Sequence, residues 1–358
     1  MNDRSANARE RPLADVFRRL IRNTGPISLA HFMAESNARY YTTRDPLGAG
    51  GDFVTAPEIS QMFGELIGLW LADMWIRAGR PDPVGFVELG PGRGTLAMDA
   101  LRTMKRYGLA PEVHFVESSP ALKKIQLEAV PQARFHGDLA SLPADCPLLV
   151  VGNEFLDALP VRQLVRAAEG WRERMVGLDG DSFIYTIGGQ PMDSAVPPSW
   201  RDGRQGTIIE TSPAAAAVVY EIAGRLAAQG GCALLIDYGH TDNRAGSTVQ
   251  AVRAHRKVDP FDAPGEADLT AHVDFATLAR VAQSRGVTWM GTPPQGQWLR
   301  ALGIDTRAEA LAARAPHLRD ALFAARDRIA ADDQMGQLFK VMGLAAPGWP
   351  HGVGFEQE

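Results

Sequence analysis

Cysteine is scarce in this chain: Cys146 and Cys232 are the only two in 358 residues. Both sit in or beside apolar runs that read as buried strands. With no cysteine at metal-ligand spacing, a disulfide framework and a cysteine metal site are both excluded, and a reducing compartment fits. Long apolar runs are missing as well, so no stretch reaches the ~20 residues that span a bilayer, and membrane insertion is not expected. Positive charge is in deficit, with 37 Lys and Arg against 42 Asp and Glu and a formal net charge of −5. Without a broad basic surface, nucleic acid is disfavoured as the main partner. Internal repeats and low-complexity tracts are absent, which removes solenoid architectures. Near the N-terminus, Arg4, Arg9, Arg11, Arg18, Arg19 and Arg22 cluster, but Asp3, Glu10 and Asp15 spoil the acid-poor character of a transit peptide. The expectation is a cytoplasmic protein with a surface helix there, turning Val16, Phe17, Leu20 and Ile21 inward. What is present is an ordinary apolar fraction of 45%, enough for a sizeable core in one large domain or two small ones.

The most informative segment is Glu88-Leu89-Gly90-Pro91-Gly92-Arg93-Gly94. It follows the apolar run Val84–Val87 and precedes a helical stretch, Thr95–Met104, which makes a strand, a glycine turn and a helix. Glycines let backbone N–H groups approach a ligand closely. An acid stands two residues before the first glycine. A pyrophosphate favours a helix N-terminus with no carboxylate nearby. The cationic end of S-adenosylmethionine favours a carboxylate instead. The next strand, Val113 to Glu117, also ends in an acid, 23 residues after Gly94, where a nucleoside ribose is bound in doubly wound folds. A third segment, Ala133 to Asp138, ends in an acid placed for an adenine amino group. Thr95 occupies the sixth position of G-x-G-x-x-G, where a dinucleotide site needs Gly or Ala. S-adenosylmethionine is therefore the expected cofactor, with Glu88, Gly90, Gly92, Gly94, Glu117 and Asp138 as ligand candidates.

Strand and helix patterns alternate from Val84 onward, which predicts an α/β fold with a parallel sheet covered on both faces. Strands are expected near 84–88, 113–117, 133–136, 147–152, 231–237 and 287–291. Leu338–Met342 is expected as a closing antiparallel edge strand. Residues 161–190 alternate around Gly-Asp turns and read as an antiparallel insertion, followed by a crossover helix, Ala214–Gln229. Asp274 reads as the N-cap of a helix to Arg285. Upstream, two short helices fill 12–36, and a glycine-rich loop runs from Leu47 to Asp52. Thr55 and Glu58 have capping-box spacing, with Pro57 in the first turn of a long helix. The expected organisation is an N-terminal helical lid region, 1–81, a main domain, 82–345, with its insertion at about 161–205, and a loose tail, 346–358.

Beyond the fourth strand lies Gly152-Asn153-Glu154-Phe155-Leu156-Asp157-Ala158-Leu159-Pro160, on the ligand side of the sheet. Asn153, Glu154 and Asp157 are the candidates to face a methyl acceptor. Two carboxylates three residues apart suit a guanidinium, which is always charged and is gripped bidentately. His272 is a further candidate base or orienting group, and Tyr238 and His240 are candidates for the pocket wall. No set of residues reads as a metal site.

Five segments together resemble the MidA family of S-adenosylmethionine-dependent protein arginine methyltransferases. They are Gly51-Asp52-Phe53-Val54-Thr55-Ala56-Pro57-Glu58-Ile59-Ser60, Phe63-Gly64-Glu65-Leu66-Ile67-Gly68, Glu88–Gly94, Gly152–Pro160 and Asp268–Phe275. That family includes a mitochondrial assembly factor for respiratory complex I. The resemblance implies a class I, Rossmann-like, seven-strand methyltransferase fold with an N-terminal helical lid and an inserted antiparallel segment. It also implies a protein substrate, with arginine as acceptor, symmetric dimethylarginine as product and a complex I subunit as the acceptor protein. Thr55, Pro57 and Glu58 would cover the cofactor. Ala56 stands where many relatives carry Ser, and the Thr55–Glu58 pair is intact. Three other readings stay open at this point: a non-catalytic assembly protein, an NAD-dependent oxidoreductase, and a methyltransferase for a small molecule or RNA.

Overall fold

The computed structural model describes residues 12–43 and 54–355. The loop expected at Leu47–Asp52 lies outside the described residues, as do Phe53, Arg4, Arg9 and Arg11. The chain opens with α1 (Leu13–Thr24), a short strand β1 (Ile27–Ser28) and α2 (Leu29–Thr43). It continues through α3 (Ala56–Ile59), α4 (Gln61–Arg77), β2 (Gly85–Leu89), α5 (Thr95–Arg106), β3 (Glu112–Val116), α6 (Pro120–Ala129), β4 (Arg134–His136) and β5 (Leu148–Asn153). The insertion holds β6 (Arg162–Ala167), β7 (Gly170–Asp179), β8 (Ser182–Pro191) and β9 (Ile208–Thr211). Next come α7 (Pro213–Gln229), β10 (Gly231–His240), β11 (Gln250–Arg253), β12 (Arg256–Val258), β13 (Asp268–Thr270), β14 (Val273–Asp274) and α8 (Phe275–Gln283). The chain closes with β15 (Thr288–Gly291), α9 (Gln295–Ala301), α10 (Ile304–Arg314), α11 (Arg319–Ala330) and β16 (Phe339–Ala345).

The main sheet runs β15-β16-β10-β5-β2-β3-β4, with β14 also on β10. From β10 to β4 all pairings are parallel. Because β5 is buried on both faces, it reads as a continuous apolar run. One core packs α4, α5 and α9–α11 against one face, and a second packs α7 and α8 against the other. On the first face α4 and α5 lie almost backbone to backbone: a Cβ on Gly68 would sit 2.4 Å from the Ala100 carbonyl oxygen. The insertion forms a second, antiparallel sheet, β1-β7-β6-β9 with β8 on β7. Two residues of β1 pair with β7, so the N-terminal helices are tied to the insertion. As expected, Phe17 and Ile21 of α1 are buried, and Asp274 caps α8 through the Thr277 N–H.

Three expectations need correction. β16 is no edge strand: it lies between β10 and β15, antiparallel to both. Its residues are buried on both faces, which an edge position would not give. The helix opened by Thr55 is broken at Ser60, whose extended backbone (φ −154°, ψ 129°) separates α3 from α4. Ser60 caps α4 by accepting from the Met62 N–H, whereas the Thr55 side chain makes no cap bond. The tail is not loose as far as residue 355. The Trp70 indole donates to the Val353 carbonyl, Phe355 packs on Trp70 and Trp298, and Arg77 holds the His351 carbonyl. Aromatic burial and an indole N–H that needs a partner fix this segment.

Candidate active site

Glu88, Glu117, Gly137 and Asn153 stand at or just beyond the carboxyl ends of β2, β3, β4 and β5, and all four line one cavity of about 650 Å³. This is where ligands sit in open α/β sheets. The opposite wall comes from α2, through Asn37, Tyr41 and Thr42, and from Thr55, Pro57 and Glu58 around α3.

The first half of the cavity is built by the glycine turn. Gly90, Gly92 and Gly94 have φ of 58°, 56° and 82°, a region that costs glycine nothing. A Cβ on Gly90 would meet the Phe155 ring at 3.0 Å. Glu88 is buried, one of its carboxylate oxygens has no partner among the described residues, and burial pushes its carboxyl well up. An orphaned buried carboxylate oxygen facing a ligand cavity fits a group with cationic donors. Glu117 is engaged differently. It accepts from the Ser119 N–H at 2.7 Å and from Gln126 Nε2 at 3.1 Å, and Gln126 Nε2 also donates to the Gly92 carbonyl at 2.8 Å. Gln126 thus locks the glycine turn to the second acid. The sequence reading missed it, although a glutamine one turn after Leu122 on an otherwise apolar helix face was a usable signal.

The second half is assembled from distant pieces. Asp237, fully buried in β10, accepts from the N–H groups of Leu156, Asp157 and Tyr238 and shapes the turn after β5. Asn37 of α2 donates to the carbonyls of Ala158 and Leu269 and accepts from the Leu269 N–H, which pins α2 across the cavity. Glu154 has a left-handed backbone, φ 51°. A non-glycine residue held there carries strain and marks a site that the surroundings over-determine. Its Oε1 accepts from the Ala56 N–H at the start of α3 and from Asn153 Nδ2, each at 3.2 Å. Burial pushes the Glu154 carboxyl up to about 8, and the neighbouring Asp157 adds to the push. Glu58 accepts from the Thr95 hydroxyl at 2.5 Å, so α3 is fastened to the glycine turn on one side and to Glu154 on the other.

Glu88, Gly90, Gly92, Glu117, Thr55, Pro57, Glu58, Asn153 and Glu154 are therefore brought together around one cavity. Six other candidates are not. Gly94 turns away from the cavity and packs on α6, where a Cβ would lie 3.3 Å from that of Ala129. Asp138 is exposed and uses its carboxylate to hold the Ser141 N–H at 2.9 Å, as turn chemistry prefers. Asp157 is buried behind the wall, where the Tyr238 hydroxyl bonds its carboxylate. His272 faces a separate cavity of about 310 Å³, shared with His240 and Arg244, and Arg244 donates to its Nδ1 at 3.3 Å. Burial and Arg244 push the His272 imidazole down to about 4. Tyr238 meets His272 edge-to-face and does not line the first cavity.

Sheet order, glycine turn and acid-lined cavity define a class I S-adenosylmethionine-dependent methyltransferase. A family described as "S-adenosyl-L-methionine-dependent methyltransferase" matches residues 66–292. The mitochondrial protein arginine methyltransferase NDUFAF7 of Rattus norvegicus is 35% identical over 364 residues, which cover 90% of this chain and 82% of that protein. Its Homo sapiens counterpart is 35% identical over 378 residues, covering 94% and 84%. A Burkholderia thailandensis protein solved with bound S-adenosyl-homocysteine has a TM-score of 0.82 at 26% identity, covering 96% of this chain and 93% of that one. The chain belongs to the MidA family of S-adenosylmethionine-dependent methyltransferases. An oxidoreductase reading and a non-catalytic reading fall with that membership. The cytoplasmic expectation is corrected too: these NDUFAF7 relatives are named mitochondrial, so an acid-bearing N-terminus was no guide to compartment.

The cofactor supplies a methyl group already activated on a sulfonium. The residues present suit it: Glu88 would take the ammonium or sulfonium charge, the glycine turn would admit its close approach, and Glu117 would face the ribose. The remaining work of the protein is to align the acceptor and exclude water.

Proposed function

We propose that this chain methylates the guanidinium of a protein arginine. The reading is supported by the names of the NDUFAF7 relatives and by the charge of the cavity wall, which among the described residues carries Glu58, Glu88, Glu117 and Glu154 against one arginine, Arg93. Such a wall suits two cationic ligands. The observation that carries the reading is Glu154, a strained, enclosed carboxyl on the cavity wall just beyond the end of β5. As the new C–N bond forms and the donor's C–S bond breaks, the bonding pair stays on sulfur and the nitrogen sheds one proton. Glu154, near 8, is the titratable group there to take it. In the same reading residues 1–81 act as the lid region, 82–345 form the catalytic domain with its insertion at about 161–205, and 346–358 are the tail, which packs on α4 as far as residue 355. The product is symmetric dimethylarginine and the acceptor a respiratory complex I subunit. The test is incubation of the purified chain with methyl-labelled S-adenosylmethionine and isolated complex I subunits, followed by mass spectrometry. Label on arginine is expected; label confined to lysine, or none on any subunit, overturns the reading.

A further inference from the structure

We propose that the acceptor guanidinium is held by Asn153 Oδ1 together with the second carboxylate oxygen of Glu154, rather than by the Glu154–Asp157 pair that their spacing favours. The inference rests on the arginine reading above and adds the atoms that carry it. Asn153 ends β5 and lines the cavity. Its Nδ2 donates to Glu154 Oε1 at 3.2 Å. An amide is planar, so fixing its nitrogen also fixes the direction of its oxygen. Asn153 Oδ1 is buried and meets no donor among the described residues. A buried acceptor left in that state is explained when its donor arrives with a ligand. Glu154 shows the same asymmetry: among the described residues its hydrogen bonds, from the Ala56 N–H and from Asn153, both fall on Oε1. The other carboxylate oxygen is left for a ligand.

Two acceptors on consecutive residues, one of them a carboxylate, match the planar fork of N–H donors on a guanidinium. Asp157 does not join them. It is buried, takes the Tyr238 hydroxyl, and is absent from the cavity wall. The left-handed backbone of Glu154 explains the switch, because it turns the chain so that residues 153 and 154, rather than 154 and 157, share the wall.

The experiment is steady-state methyl transfer to an arginine peptide that the wild-type chain methylates, for wild type, Asn153→Ala and Asn153→Asp, with S-adenosylmethionine affinity measured by calorimetry on each. Loss of an acceptor to a charged donor predicts a fall in kcat/KM of about 10- to 100-fold for Asn153→Ala, with cofactor affinity within about threefold. Asn153→Asp keeps an oxygen but loses the N–H that steadies Glu154 and sets a second carboxyl beside it. Its optimum should move to higher pH. An Asn153→Ala variant that binds cofactor and keeps its kcat/KM overturns the proposal. If that variant fails to fold, an unshifted pH profile in Asn153→Asp overturns it instead. A wild-type chain that transfers methyl only to lysine or to nothing brings down the arginine reading and this inference with it. That failure is visible before any variant is made.

Discussion

The two halves of the cavity are built in opposite ways. The cofactor half comes mainly from one contiguous stretch, Glu88 to Thr95, in which the chain leaves a strand, turns on glycines and enters a helix, joined by Glu117 at the end of the next strand. Its chemistry is local, and one buried glutamine, Gln126, secures it. The acceptor half needs Asn37, Ala56, Asn153, Glu154 and Asp237, which only the tertiary fold brings together. The first half is shaped by backbone conformation. The second is shaped by side-chain hydrogen bonds across long sequence separations, so its geometry is only as firm as α2 and α3 are docked.

The largest expected effect would break the first half alone. Gly92→Val places a branched side chain at φ 56° on the cavity wall. We expect a folded protein by circular dichroism and a loss of S-adenosylmethionine affinity of about 100-fold or more, since a β-branched residue strains that backbone and fills the approach. An unchanged calorimetric affinity would show that the turn does not hold the cofactor. Glu154→Gln should break the second half alone: arginine transfer drops by about 100-fold while cofactor affinity stays within a few-fold. If both fall together, the halves are one unit and the comparison fails.

A pH titration sharpens the contrast. With its carboxyl near 8, Glu154 in the free protein is protonated at neutral pH. Acceptor KM should therefore fall as pH rises from about 7 to 9, and the fall should vanish in Glu154→Gln. Stability runs the other way. Between the ordinary glutamate range and about 8 the folded state keeps a proton that the unfolded chain has lost, so stability declines with rising pH, at most about 1.4 kcal/mol per unit for this one group. Thermal melts of wild type and Glu154→Gln at pH 5 and 8 measure it. Smaller still is the effect of Thr95→Val, which removes the hydroxyl held by Glu58 and loosens α3 on both halves at once. Cofactor affinity and transfer should each fall about three- to tenfold, less than the full value of a hydrogen bond to a carboxylate because the lost bond touches neither ligand directly. The smallest change is expected for Asp138→Ala, with cofactor affinity within about twofold, because that carboxylate serves its own turn. A tenfold loss would return Asp138 to the site.

How much was legible follows the same division. Sheet class, strand positions and the glycine turn could be read because each depends on a short window: a buried apolar run, an acid, a glycine. The wall formed by α2 could not, since Asn37 looks like any polar residue on a helix until its partners at 158 and 269 are folded beside it. The Glu154–Asp157 spacing misled because it assumed regular backbone, and φ 51° at Glu154 redirects the chain between them. Thr-Ala-Pro-Glu carried the signature of a cap. Here Ser60 is the cap, and Glu58 bonds Thr95 across space. The position of β16 was missed because an apolar strand at the end of a chain gives no sign of which neighbours it will separate.

That position has a consequence for how the molecule is made. β15 pairs only with β16 among the described residues, and β16 also covers the outer side of β10. During synthesis β10 and β15 emerge from the ribosome first, each with an uncovered row of backbone donors and acceptors. Both wait for Phe339–Ala345, synthesised after them, to slot between them. The aromatic contacts of Phe355 with Trp70 and Trp298 come later still. Folding of this half of the sheet thus waits on the synthesis of residue 345, and a nascent chain stalled short of it presents open strand edges to chaperones or to other copies of itself.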